Sequence, residues 1–301
     1  MLEFSKPEIS DICKLRPYIQ NGNTRVCNNT VGSIFMWRDY FSTEFSLFGD
    51  DDNAGVIFKV KSKHNDIDTM FSLPLGGDYI AGIEAVNEYC RDQNIPACYY
   101  ALTENDLEPL RSIYTNHETF SDDDWGDYVY SASDLVNLAG RKYSGKRNHL
   151  NQFKSDNPDY IFEEITSDNL NEVRDFYDRV SRDVIFTSKT ASEDHDKTLE
   201  VLANYEAYAP LGGLLRTRGS VVAFSAGDII GDMLFVHIEK ADTNYRGCYQ
   251  TINNEFAKHF VSDDILFINR EEDEGDPGLR FSKKSYHPIE ITRKYIFFVV
   301  R

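Results

Sequence analysis

The stretch from Leu211 to Arg270 leaves the chain little freedom in how it folds. It holds a strand over 212–217, a tight Arg218-Gly219 turn and two more apolar strands. The loop Asp242-Thr-Asn-Tyr-Arg-Gly-Cys248, an amphipathic helix and a last strand follow. A glycine-bearing loop that leaves a strand and opens a helix gathers unsatisfied backbone N–H groups at the positive helix end, which suits an anionic group. An antiparallel run feeding a helix is therefore expected, with a binding loop at the junction.

Composition narrows the partners. With 301 residues the chain can form two ordinary domains, and 41% apolar with 13% aromatic residues describe a folded protein. The balance of 32 basic against 50 acidic residues, −18 net, argues against DNA or anionic membrane as a general partner, so any polyanion must meet a local basic patch. Five scattered cysteines, Cys13, Cys27, Cys90, Cys98 and Cys248, lack CxxC spacing and read as reduced thiols. The acidic N-terminus lacks the basic start and apolar run of a signal peptide, and the run 295–300 is too short to span a bilayer. A soluble, cytoplasmic protein is expected, at most peripheral to an inner membrane.

In chain order, a helix is expected over 6–19 with Ser5 as N-cap and Pro7 in the first turn. An Asn- and Gly-rich loop (Asn21, Gly22, Asn23, Asn28, Asn29) and a short helix over 34–40 come next. Strands are expected over 43–48, 54–61 and 68–75, the second after an Asp50-Asp51-Asp52-Asn53 turn. Gly76-Gly77-Asp78-Tyr79 leads into a helix with Ile83, Val86 and Cys90 on one face, and a strand over 97–102 closes the set. This order matches that of the Leu211 stretch, so the two halves read as copies of one α/β (α+β) unit, 1–135 and 136–301.

Between them lies the one dense basic segment, 140–156, a linker helix bearing Arg141, Lys142, Lys146, Arg147 and Lys154. It places Lys146, His149 and Phe153 near one face, where it could hold phosphates; the alternative is a solvated linker whose charges offset nearby acids. A strand over 160–165, an amphipathic helix over 169–180 and a helix opened by a Thr190-Ala-Ser-Glu193 capping box follow. Two helices, a three-stranded antiparallel run, then loop, helix and strand is the element order of the GNAT acyltransferase unit, with mixed, mainly antiparallel sheets. On the strand over 233–240, Phe235, His237 and Glu239 alternate to one face, so His237 is a candidate base and Glu239 its positioning group, against a reading of His237 as a bonded core residue.

The donor-phosphate candidates are Tyr245, Arg246 and Gly247, with Lys146 and Arg147; a single glycine departs from the glycine-rich acetyl-CoA loop. After the strand over 265–268, acids and bases alternate. Glu271, Glu272 and Asp273 are candidates for a base or for holding a cationic amino group, with Glu272 and Asp273 the favoured bases, while Asn269, Arg280, Lys283, Lys284 and Tyr286 are candidates for holding substrate or an anionic intermediate. The alternative is a surface loop whose charges pair among themselves. No metal-ligand spacing is present.

Four segments together carry a family resemblance: Gly278-Leu-Arg-x-x-Lys-x-x-Tyr-x-Pro288, Asn269-x-Glu-x-Asp273, Leu73-Pro-Leu-Gly76, and Lys146-Arg-Asn-x-Leu-Asn151. Most of the chain resembles the C-terminal catalytic region of phosphatidylglycerol lysyltransferases and the soluble bacterial proteins grouped with them. The resemblance implies two tandem GNAT-like domains, kin to the Fem-type peptidoglycan transferases. It further implies transfer of an aminoacyl group from aminoacyl-tRNA to a lipid, peptide or small-molecule acceptor without a cofactor. An acyl-CoA-dependent N-acetyltransferase and a non-catalytic binding protein on the same fold are the alternatives. In the first reading Glu272 or Asp273 assists the nucleophile and Lys283 or Arg280 steadies the anion.

Overall fold

The structure, a computed structural model, describes residues 1–22, 24–50, 53–61, 68–182 and 189–300. Asn23, Asp51, Asp52 and the Thr190 side chain, and with it the expected capping box, lie outside the described residues. Element order in the first part is α1 (Ile12–Gln20), α2 (Val31–Met36), β1 (Glu44–Phe48), β2 (Gly55–Val60), β3 (Met70–Phe71), β4 (Leu75–Gly76), α3 (Tyr79–Asp92), β5 (Cys98–Leu102), α4 (Glu104–Ile113) and β6 (His117–Phe120). It continues with β7 (Asp127–Ser131), α5 (Ala132–Asn137), α6 (Ser144–Asp156), β8 (Ile161–Glu164), α7 (Leu170–Ser181), α8 (Lys189–Ala203), α9 (Tyr205–Tyr208), β9 (Leu211–Thr217), β10 (Ser220–Ile230) and β11 (Met233–Ala241). The chain ends with α10 (Cys248–Phe260), β12 (Phe267–Asn269), α11 (Pro277–Lys284), β13 (Glu290–Thr292) and β14 (Tyr295–Val299).

Two compact units result, each discontinuous in sequence. The first is Met1–Asp127 with Glu272–Asp276 and Ile291–Arg301; the second is Tyr128–Glu271 with Pro277–Glu290. Each carries a mixed α/β arrangement built on one sheet. The first sheet runs β1-β2-β3-β5-β14-β6, with β4 on β2, and is antiparallel except where β3 meets β5. Its core joins Ile57, Phe71, Tyr99 and Phe297 to Ile83 and Val86 of α3 and Leu107 and Leu110 of α4, all at most 1% exposed. Burying such side chains is worth about 1.5–3 kcal/mol each.

Several expectations for this unit change for local reasons. Ser5 caps no helix; it exchanges N–H···O bonds with Phe45 (3.0 and 2.8 Å), so α1 starts only at Ile12. The helix expected over 34–40 begins earlier, because the Thr30 side chain accepts from Ser33 N and caps it there. Pro74 lacks an N–H, and the strand expected over 68–75 breaks into β3 and β4 on either side of it. Residues 295–299, expected with the second half, form β14 in the first sheet, hydrogen-bonded between β5 and β6.

The second sheet runs β13-β7-β12-β11-β10-β9-β8. The Arg218-Gly219 turn forms as expected, both residues at positive φ (51° and 73°), the geometry that lets two residues join right-twisted strands. β11 and β12 lie parallel, and α10 crosses back between them, laying Ile252, Phe256 and Ala257 over the sheet. α7 covers β10, with Phe176 and Tyr177 edge-on to Phe224 at 6.2 and 5.9 Å. Among the described residues, no helix is long and apolar enough to cross a membrane.

Candidate active site

The geometry begins with an irregularity in the central strands. Ala226 pairs with Ile238 and Gly227 with Val236, so β11 carries His237 as one extra residue. A bulge of this kind bends a strand and re-aims the side chain at it. Gly227 makes it fit, because a Cβ there would run into the carbonyl oxygen of Phe235. Strict alternation is thereby lost: Phe235 is fully buried, and the His237 and Glu239 side chains are only 4% and 13% exposed.

Both ring nitrogens of His237 are engaged, Nδ1 with Glu271 Oε1 (2.7 Å) and Nε2 with Asp228 Oδ2 (3.2 Å). Burial by itself lowers a histidine pKa, but the two carboxylates outweigh it and raise this one to about 10. At neutral pH the ring is an imidazolium with no lone pair to accept a proton. The expectation of His237 as base with Glu239 as its partner is corrected here: Asp228 and Glu271 hold His237, and Glu239 belongs to a neighbouring group.

That group forms where β12 ends. Asn269 is fully buried, and its Oδ1 accepts the Glu271 N–H (2.7 Å), closing a turn in which Glu271 takes φ +58°. The turn sends Arg270 inward. Its Nη2 donates to Glu239 Oε1 (2.9 Å), and its guanidinium carbon stands 5.0 Å from the Tyr286 ring centre and 6.0 Å from that of Tyr130. The other Glu239 oxygen accepts from Asn253 Nδ2 of α10 (3.0 Å). Two atoms of this network are buried without a hydrogen-bond partner, Arg270 Nη1 and Asn253 Oδ1. An unmatched buried donor beside a matched one is costly, and sites that bind ligands tolerate it.

Lys146 and Lys283 complete the surroundings. Lys146 Nζ lies 3.7 Å from the Tyr286 ring centre and donates to Ser285 Oγ (2.6 Å). Burial, with a further push from Arg270 and against the pull of Glu239, lowers its pKa to about 8. Lys283 is 7% exposed and donates to the Arg270 carbonyl (2.6 Å), fixing the turn from below. Tyr286 is held from behind, its carbonyl accepting from Tyr143 OH (3.0 Å), while Tyr130 OH donates to the Lys283 carbonyl (2.8 Å).

The remaining candidates make other contacts. Glu272 and Asp273 fall in the first unit, His237 and Lys283 in the second. Glu272 Oε2 accepts from Lys294 (2.7 Å), and buried Asp273 accepts from Gly275 N (2.9 Å) to shape its own turn. Lys284 is exposed on α11 and Arg280 half-buried. Gly247 opens α10 at φ +82°, and a Cβ there would strike the His149 carbonyl, so the glycine admits the α6 backbone; Tyr245 is half-buried and Arg246 exposed. Arg147 Nη1 donates to the Leu138 and Gly140 carbonyls, where α5 ends in a left-handed residue, and thus serves a helix end. Lys142 pairs with Asp134 (2.9 Å) and Lys154 with Glu255 (3.1 Å), so most of the basic segment is spent inside its own unit.

Sequence reasoning passed over Arg270, Asn253 and Asp228. Arg270 stood as an unspecified residue between Asn269 and Glu271, and its proximity to Glu239 comes only from the parallel register of β12 on β11, which sets Asn269 opposite Phe235. The signal available was its place one residue past a strand end. Among the described residues, no group of three or more His, Cys, Asp and Glu side chains is arranged to hold a metal ion.

Residues 20–298 match the model of the family described as "Phosphatidylglycerol lysyltransferase, C-terminal". A conserved protein of unknown function from Bacteroides thetaiotaomicron has the same fold over all of both chains, at 30% identity and a TM-score of 0.86. L-PGS from Bacillus licheniformis superposes with a TM-score of 0.66 at 14% identity, covering 95% of this chain and 90% of that one. FemX does so at 0.63 and 9%, covering 99% and 97%. An uncharacterized protein of Mycoplasmoides gallisepticum is 28% identical over 222 residues, 69% of this chain and 67% of its own.

Proposed function

The chain belongs to the phosphatidylglycerol lysyltransferase C-terminal family, and from that premise we propose that it is an acyltransferase moving an aminoacyl group from aminoacyl-tRNA to a lipid, peptide or small-molecule acceptor. The observation that carries this reading is the Arg270 group: a buried guanidinium with one donor left over, beside a lysine poised to give up its proton near neutral pH. Acyl transfer needs those two things, a donor for the developing oxyanion and a base for the nucleophile.

In this mechanism Arg270 Nη1 donates to the ester carbonyl oxygen as it becomes anionic. Neutral Lys146 takes the proton from the attacking hydroxyl or amine. The new acyl bond forms, the bond to the ribose oxygen breaks, and Lys146 returns the proton to that leaving oxygen. Glu239 and Lys283 position Arg270 through its guanidinium and its carbonyl. His237, held as a cation, fixes the bulge instead of moving protons.

Incubating the protein with tRNA charged with labelled amino acids, or with labelled acetyl-CoA, in a mixed extract of lipids and peptidoglycan precursors tests the reading. Label should pass from aminoacyl-tRNA to an extract component and not from acetyl-CoA. Transfer from acetyl-CoA alone would replace the donor.

A further inference from the structure

The charges around Arg270 limit what the transferred group can carry. Glu239 is the one carboxylate of this group, and both of its oxygens are taken, one by Arg270 and one by Asn253. The neighbouring acids are committed as well: Asp228 and Glu271 clasp His237, Asp194 pairs with Lys240 (2.5 Å), and Glu255 with Lys154. Arg270 offsets the single charge of Glu239, and Lys146, neutral when it acts as the base, adds none. An ammonium or guanidinium brought here would meet the Arg270 charge and, among the described residues, find Glu239, Asp228 and Glu271 already bonded, and an uncompensated charge in a desolvated site is strongly disfavoured.

What the site leaves open is uncharged in kind. Arg270 Nη1 lacks an acceptor and Asn253 Oδ1 lacks a donor, and both are shut off from solvent. The Asn253 amide cannot simply turn over, because its nitrogen must face the Glu239 carboxylate. Its oxygen is therefore fixed as the acceptor.

We propose that the site selects an aminoacyl group with an uncharged side chain, the ester carbonyl on Arg270 Nη1 and an N–H or O–H of the group on Asn253 Oδ1, and that it rejects lysyl and arginyl groups. This rests on the donor reading above, and the two fail differently. The probes are stable 3′-amide-linked aminoacyl adenosines carrying alanine, glutamine or lysine, titrated calorimetrically into the intact protein at fixed ionic strength. The alanyl or glutaminyl probe should bind at least about tenfold tighter than the lysyl probe. Lysyl binding as tight or tighter overturns the selectivity while leaving the donor reading in place; binding of none of the three removes both. In Asn253→Asp, which sets a second carboxylate beside Glu239, the order should shift toward the lysyl probe by about tenfold, and an unchanged order overturns the assignment of Asn253.

Discussion

Two buried cations of this protein stand in opposite states of completion. In the first unit Lys294 is 3% exposed and meets Asp127 Oδ1 and Glu272 Oε2, both at 2.7 Å, with the Cys27 sulfur at 3.5 Å. The Asp127 carboxylate in turn accepts from the Cys27 N–H (2.7 Å). In the second unit Arg270 meets one carboxylate oxygen and keeps a donor unmatched. A saturated buried pair has nothing left to offer a ligand, and its contribution is to hold chain segments together. Residues 27, 127, 272 and 294 come from four distant stretches of sequence, which is what such a group ties. An unsaturated one carries a standing cost that only a ligand or a water relieves.

The largest test of that contrast removes the saturated cation. Lys294→Met strands two carboxylates, one of them fully buried, and should lower unfolding free energy by about 3–5 kcal/mol in a denaturant titration. A loss below about 1 kcal/mol would mean the cluster is not a tie at all. Arg270→Lys keeps the charge opposite Glu239 but discards the planar fork, so transfer should fall about 100-fold with the denaturation midpoint little moved. Comparable activity in that variant would take Arg270 out of the chemistry.

Smaller effects sharpen the geometry. Gly227→Ala forces a methyl against the Phe235 carbonyl and should cost about 1–3 kcal/mol, measured by thermal unfolding; a neutral outcome would show that the bulge at His237 relaxes without consequence. The two titrating groups act with opposite sign. The pKa of His237 is raised from 6.5 to about 10, so its stabilisation is fully present below pH 6.5 and disappears as pH rises through about 10; His237→Asn should flatten that alkaline decline. The pKa of Lys146 is lowered from 10.5 to about 8, so the folded state resists its protonation and gains relative stability as pH climbs from about 8 to 10.5. Transfer should rise with pH through about 8, and Lys146→Met should abolish that limb; an unshifted profile would assign the base elsewhere.

How legible all this was depends on how local each signal is. The Arg218-Gly219 turn, the α3 face of Ile83, Val86 and Cys90, and the α7 face of Leu170, Val173, Phe176, Tyr177 and Val180 follow from periodicity and turn chemistry, and all of those apolar side chains are buried except Val180, which is half-buried. A strand end and a basic helix mark Asn269, Tyr286 and Lys146 as substrate- and phosphate-holding candidates, and strand alternation marks Glu239 as a partner of His237; their places around Arg270 come from the structure. The Ser5 cap failed because a long-range bridge to Phe45 outbid a local one. Strand alternation pointed to His237 as a base, but a single extra residue in β11 re-aimed it between two acids that no spacing rule connects.

The sequence by itself determined the order of elements, their apolar faces and the family, since these depend on neighbours within a few residues or on segments that keep their order. Only the tertiary structure decided which charges are spent and which are left. Glu272, Asp273, Lys283 and Arg147 look alike as loop and helix charges, and each proves to be bonded to its own unit. The partners come from sequence positions up to 267 residues apart, as for Lys294 and Cys27. Hydrogen-bond saturation is a property of atoms brought together from across the chain, and so the unmatched donor of Arg270 exists only once β12 lies in register beside β11.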